Sequence, residues 1–306
     1  MKKAIITLSL LLALPVAVLR AQTENSSEVV AKPQIAMSSD KKGTVRIELA
    51  GSGTASIEWG DGSEIETVTL SRTRSPKTHN YSDNVIRDIT IFGENITEFK
   101  GNLCELTSLD VSKNVKLKYL SCFGNRLTYL DVSNNVELEH LLCEANSLTH
   151  LDVSNNTELT HLACSANDII RLDVSKNIEL QHLNCCSNAL THLDVSKNVK
   201  LECLECCHDA LTYLDVSKNP MLERLICEGT RLKRLDVSEN VNLKDLICAN
   251  SKLSASALNA LFESLPVNDT WEERVIIMGG NPGTKKCKAS IAEKKGWTVD
   301  YQDDFG

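Results

Sequence analysis

Between Leu106 and Asn250 the chain writes one 21-residue unit seven times: L-x-x-L-D-V-S-x-N-x-x-L-x-x-L-x-C-x-x-N-x. Asp110, Asp131, Asp152, Asp173, Asp194, Asp215 and Asp236 recur at one position; Cys122, Cys143, Cys164, Cys185, Cys206, Cys227 and Cys248 recur at another. One such unit is too small to bury its own apolar face, so neighbouring units must stack into a solenoid. The unit divides into eleven and ten residues with the same spelling, as in Leu127-Thr-Tyr-Leu-Asp-Val-Ser-Asn-Asn135 and Leu138-Glu-His-Leu-Leu-Cys-Glu-Ala-Asn146. In each half apolar positions alternate with outward ones at period two. The pattern predicts two short parallel strands per coil, on opposite faces, with the leucines, Val132 and Cys143 pointing inward. Asn135 and Asn146 are expected at the two corners, where their amides can satisfy backbone groups of adjacent coils. A ten-residue half leaves no room for a helix, so the coil should be flat and helix-poor.

This unit, over residues 101–253, resembles the nested 21-residue class of bacterial leucine-rich repeat proteins. The resemblance implies an exported binding or adhesion module. The register departs from the pattern at Asp209, Thr230 and Ser251, which stand where the second corner should carry asparagine. That corner needs another donor there, or water.

The flanks have a different texture. Residues 1–21 read as a secretory signal peptide, with Lys2 and Lys3 ahead of a short, broken apolar run. Residues 22–34 are polar and read as a linker. Residues 35–100 alternate apolar and polar in short runs (44–49, 55–59, 65–70 and 86–91), the pattern of an antiparallel β-sandwich. Trp59-Gly60-Asp61-Gly62-Ser63 and His79-Asn80-Tyr81 resemble the W-G-D-G-S and H-x-Y signatures of PKD-like modules. Asp61 and His79 could form a catalytic pair, but turn chemistry and strand packing account for them better. Residues 254–306 predict an α/β cap: a helix over 254–265, a strand over 275–278, a turn at Asn281-Pro-Gly283, a helix over 288–295 and a strand over 297–301.

The formal charge is −8, and falls to −11 if residues 1–21 with Lys2, Lys3 and Arg20 are removed. That acidity argues against nucleic acid or an anionic membrane as partner. Insertion in a membrane after signal cleavage is not expected, and the reading is of a secreted, periplasmic or cell-surface monomer. The recurring cysteines point the same way in a stack with strand spacing, a poor fit to disulfide geometry, and read as buried thiols.

Function is read from the outward positions. On the L-x-x-L-D-V side the central column is always aspartate. A cation ladder binding calcium is one reading, offset of like charge by the adjacent serines and lysines the other. On the L-x-x-L-x-C side the outward residues vary along the solenoid. Tyr119, Phe123, His140, Leu142, His161, His182, Asn184, Glu205, Arg224, Ile226 and Ile247 form the candidate binding face for an extracellular protein or glycan. His161, His182, Cys186, Cys203 and Cys207 offer soft and imidazole ligands, so a metal-binding protein or metal-dependent hydrolase is the alternative. Cys186 and Cys207 could instead form a disulfide between adjacent coils. A structural envelope spacer without a specific ligand is the third reading. No phosphate-cradling loop, nucleophile elbow or zinc-protease helix is present, no cofactor is implied, and the chain is not read as an enzyme.

Overall fold

A computed structural model describes residues 34–302 except Thr270. The expected signal peptide, and the expected linker apart from Gln34, lie outside the described residues.

The repeats build short strands at one position per coil. These are β9 (Tyr119–Ser121), β10 (His140–Leu142), β11 (His161–Ala163), β12 (His182–Asn184), β13 (Cys203–Glu205), β14 (Arg224–Ile226) and β15 (Asp245–Ile247), after eight strands in the N-terminal region described below. Each pairs in parallel with the next in strict register, so His140 lies beside His161 and His161 beside His182. Backbone bonds tie the levels together, as where Cys143 N donates to Ala163 O at 2.8 Å.

The second strand expected in each coil forms only in the first repeat, at Leu106–Asp110; in the six that follow the L-D-V half carries no strand. Side chains have taken over its backbone groups. Each Asp accepts from the N–H two residues on, as Asp131 Oδ1 does from Ser133 N at 2.9 Å, which bends the chain into an Asx turn. At the corner that follows, Asn135 Nδ2 donates to Val111 O at 3.0 Å and Asn114 O at 2.8 Å, both in the preceding coil. The same pair of bonds recurs at Asn156, Asn177, Asn198, Asn219 and Asn240.

At the second corner Asn167 Nδ2 donates to Cys143 O and Cys164 O, and its Oδ1 accepts from Leu148 N. Asp209 keeps only half of this. Its Oδ1 accepts from Asn188 N and Leu190 N, while its buried Oδ2 has no hydrogen-bond partner among the described residues. The Thr230 and Ser251 hydroxyls lie 2.9 Å apart and both within reach of Cys227 O, so one donates to that carbonyl and the other to it or to its neighbour. Asn281 resumes the pattern, donating to Cys248 O and Met278 O. The residue before each of these corners turns left-handed, including Ala145, Ala166, Ser187 and His208 with φ of 51° to 57°.

The N-terminal strands are β1 (Gln34–Ser39), β2 (Gly43–Gly51), β3 (Thr54–Glu58), β4 (Glu66–Thr69), β5 (Ser75–Tyr81), β6 (Arg87–Phe92), β7 (Ile96–Lys100) and β8 (Leu106–Asp110). One sheet runs β4-β3-β6-β1-β8; the other joins β5, β2 and β7 to the solenoid, because β7 pairs in parallel with β9. The sheet therefore continues across residue 100, and the first repeat gives its β8 to the opposite sheet. At the far end, helix α1 (Ala255–Ser264) is capped by Ser254, whose Oγ accepts from Ala257 N, and buries Leu258, Leu261 and Phe262. It stands where an Asp half would be. Strands β16 (Val275–Ile277) and β17 (Thr298–Asp300) add two more parallel levels, with the short helix α2 (Ser290–Glu293) between them. Helix α2 is shorter than the 288–295 expected. The result is a leucine-rich repeat β-solenoid with one continuous apolar core from Ile35 to Trp297.

Candidate functional site

The strand face presents the variable columns. Strand pairing sets the rings of His140, His161 and His182 one above another, with centroids 4.4 and 4.3 Å apart. Tyr119 continues the stack at 5.7 Å from His140, and the Arg74 guanidinium lies 3.9 Å from the Tyr119 centroid. Arg74 in turn pairs with Glu98 at 2.6 Å. Burial holds the His140 imidazole below its ordinary pKa. The same cause, followed by the two imidazole neighbours, pushes His161 down to about 4. These two rings are therefore neutral at ordinary pH, and the middle of the stack is an uncharged aromatic rib.

Beyond the rib the face becomes ionic. Arg224 sits 3.8 Å from Glu205 and 3.5 Å from Asp245. Leu142, Asn184 and Ile226 line the adjacent column and are half-buried, while Phe123 is exposed at the rim. Ile247, expected on the open face, is 5% exposed and so is buried; the next level, β16, lies beside it with Ile277 in register.

The same geometry does not favour the metal reading. The imidazoles face one another ring to ring, so their nitrogens do not converge on a point. Cys186 and Cys207 are joined in a disulfide with Cα atoms 4.5 Å apart, which removes two of the five candidate ligands. Cys203 stands half-buried, 3.8 Å from Glu205 Oε1. Among the described residues no group of three His, Cys, Asp or Glu side chains could hold an ion. The inward cysteines are buried thiols, as expected; burial pushes Cys122, Cys164 and Cys248 up to about 12, so they are protonated and unreactive.

Asp61 and His79 do meet, at 2.7 Å. His79 is held between Trp59, ring centroids 5.0 Å apart, and Tyr81, whose hydroxyl donates to Trp59 O. Hydrogen bonds from Ser63 and His79 hold the Asp61 carboxyl far below the usual range. The pair is part of a packed turn.

A second variable column lies on the aspartate side. Two residues before each aspartate stand Ser108, Tyr129, His150, Arg171, His192, Tyr213 and Arg234, on the supposedly monotonous side. From Tyr129 onward all are exposed, Tyr129 by 69%. A cleft of about 520 Å³ opens on this side between the last two Asp turns and α1. The signal was available in the first variable position pair of L-x-x-L-D; the constant aspartate masked it.

No family profile and no curated protein matches the chain. Solved structures do. The functional domain of InlJ from Listeria monocytogenes, which includes a cysteine ladder, is 31% identical, with a TM-score of 0.51 over 70% of this chain and 50% of that one. A leucine-rich repeat protein of Leptospira interrogans is 21% identical, with a TM-score of 0.54 over 62% of this chain and 50% of that one. The chain thus spans half the length of each of these bacterial leucine-rich repeat structures. Both agree with the fold derived above, and neither neighbour is described as an enzyme.

Proposed function

We propose that the chain is an exported recognition module that binds an extracellular protein through its strand face. A secreted, periplasmic or surface location follows from the reading of residues 1–21, and a monomer is the expected state. Among the described residues no helix is long and apolar enough to cross a membrane. The observation that carries the reading is the contrast within one coil: inward residues repeat at every level, while the outward columns vary along the solenoid, from Tyr119 through the His140, His161 and His182 run to Cys203 and Arg224. Half-buried Leu142 and Ile226, exposed Phe123 and the neutral imidazole rib offer apolar contact, and Glu205 and Arg224 offer polar specificity at the far end. These favour a protein surface over a glycan as occupant. An array of extracellular-matrix proteins, probed with the full chain and with a variant carrying Tyr119→Ala, His161→Ala and Arg224→Ala, tests it. Binding by the parent and loss of at least roughly tenfold in affinity for the variant are expected. A variant that binds as well as the parent would refute the proposal, and an array without any bound protein would favour the envelope spacer.

A further inference from the structure

The cleft on the Asp side is built from residues of opposite hydrogen-bonding character. Asp215 and Asp236 each accept from a backbone N–H at 2.9 Å, those of Ser217 and Ser238, so both carboxylates are fixed in orientation. Tyr213, 46% exposed, directs its hydroxyl to Asp215 Oδ2 at 3.3 Å. The Arg234 guanidinium stands 5.6 Å from the centre of the Tyr213 ring, and Glu239 and Ala260 of α1 close the remaining sides.

Each of these features narrows the ligand. Carboxylates are acceptors only and guanidinium is a donor only, so one ligand satisfies both if its groups donate and accept. Hydroxyls do so; a phosphate, a carboxylate or an ammonium does not. Three carboxylates against one guanidinium leave the cleft negative and repel an anion. The apolar side chains of the wall, Leu214 and Leu235, are buried, which leaves no pocket for an aliphatic peptide anchor. The Tyr213 ring supplies a flat apolar surface of the kind that packs against the C–H face of a pyranose.

We propose that this cleft binds the terminal unit of a neutral oligosaccharide whose following units lie along the column from Tyr213 back to Tyr129. His192, Arg171 and His150 occupy the intervening coils, so a linear ligand meets a planar group at every level, at a spacing of roughly 4.8 Å. Each of those groups has the corresponding aspartate beside it, with one oxygen committed to a serine N–H. The site is separate from the strand face, and its occupancy does not depend on the protein partner proposed there.

Calorimetric titration of the full chain with hexasaccharides of glucose, mannose and N-acetylglucosamine tests the assignment. At least one should bind saturably at roughly millimolar concentration or below. Tyr213→Ala should weaken that binding about tenfold while Tyr213→Phe, which keeps the ring, should stay within about twofold of the parent. Tyr119→Ala, on the strand face, should bind sugar like the parent. Thermal midpoints measured on the same samples establish that each variant is folded. Failure of all three sugars to bind, parent-like binding by Tyr213→Ala, or an equal loss in Tyr119→Ala overturns the proposal.

Discussion

The two sides of each coil are held together by different means. On the strand side, backbone donates to backbone: His140 N to Lys118 O, Cys143 N to Ala163 O. These bonds need no outward side chain, so Tyr, His, Cys, Arg or Asp can stand in the same column, and the Cys186–Cys207 disulfide adds a side-chain link between two levels. On the other side, side chains do the bonding: the Asp carboxylate bends the chain and the corner Asn spans to the coil before. Those residues recur seven times because the scaffold is made of them. Uniform spelling marks the side where side chains hold the frame, and freedom to vary marks the side where the backbone does.

The sharpest way to break this comparison is to remove a corner amide. Asn177→Ala deletes donors to Val153 O and Asn156 O, both buried in the preceding coil, and should cost roughly 3 kcal/mol. Urea unfolding measures it; a loss below about 1 kcal/mol would show that the corner ladder is incidental.

Asp209 tests the same idea through pH. Burial raises its carboxyl to about 6, and in the asparagine pattern the position of its free oxygen is taken by an amide that donates to corner carbonyls. A protonated Asp209 can donate; an ionised one cannot. The nearby titratable groups are His208 and the Cys164, Cys185 and Cys206 thiols, of which the imidazole alone opposes this shift. The folded state therefore binds the proton more tightly than the unfolded chain, whose Asp titrates near 3.9. Stability from this group is complete below about pH 4 and is lost as pH rises through about 6, by up to about 2 kcal/mol. Asp209→Asn should flatten that slope and stabilise the protein at pH 7. An unchanged slope in chemical denaturation at pH 4, 5, 6 and 7 would remove Asp209 as its source.

Smaller effects follow at the turns. Asp173→Ala removes the acceptor of Ser175 N, and because water reaches this bend the cost should be about 1 kcal/mol. Ala166→Gly relieves a left-handed φ of 52° and should stabilise by roughly 0.5 kcal/mol after the added freedom of the unfolded chain is counted. Thermal midpoints of the two variants should move in opposite directions; a lower midpoint for Ala166→Gly would mean that its methyl packs usefully.

Much of the frame was legible because it is local or periodic. The corner asparagines, the inward cysteines and the Ser254 cap each follow from a repeat or a capping rule. The eight N-terminal strands were only half legible. Pro76 reads as a turn, yet β5 is the outer strand of its sheet, where a missing N–H is tolerated. The missing second strand of the later repeats was hidden because L-x-x-L-D-V alternates like a strand; in the first repeat the same half, with the same Asx turn, is a strand because β1 is there to pair with it. Ile247 looked exposed by register, yet it is buried; the level added beside it, β16, comes from beyond the repeats, and no local pattern announces that. Of the candidate face, the His140–His161–His182 stack follows directly from the period, whereas the Cys186–Cys207 disulfide was legible only as one option because rung neighbours leave the side-chain torsions open.

The division of labour between the two sides is tested most directly by unfolding two proteins in parallel in urea: Asn177→Ala, and the combined Tyr119→Ala, His161→Ala and Arg224→Ala variant. The account predicts that the single corner substitution lowers the midpoint clearly, while the three strand-face substitutions together lower it less. A triple variant as unstable as Asn177→Ala, or more so, would contradict it, because the face proposed to be free for recognition would then be part of the frame.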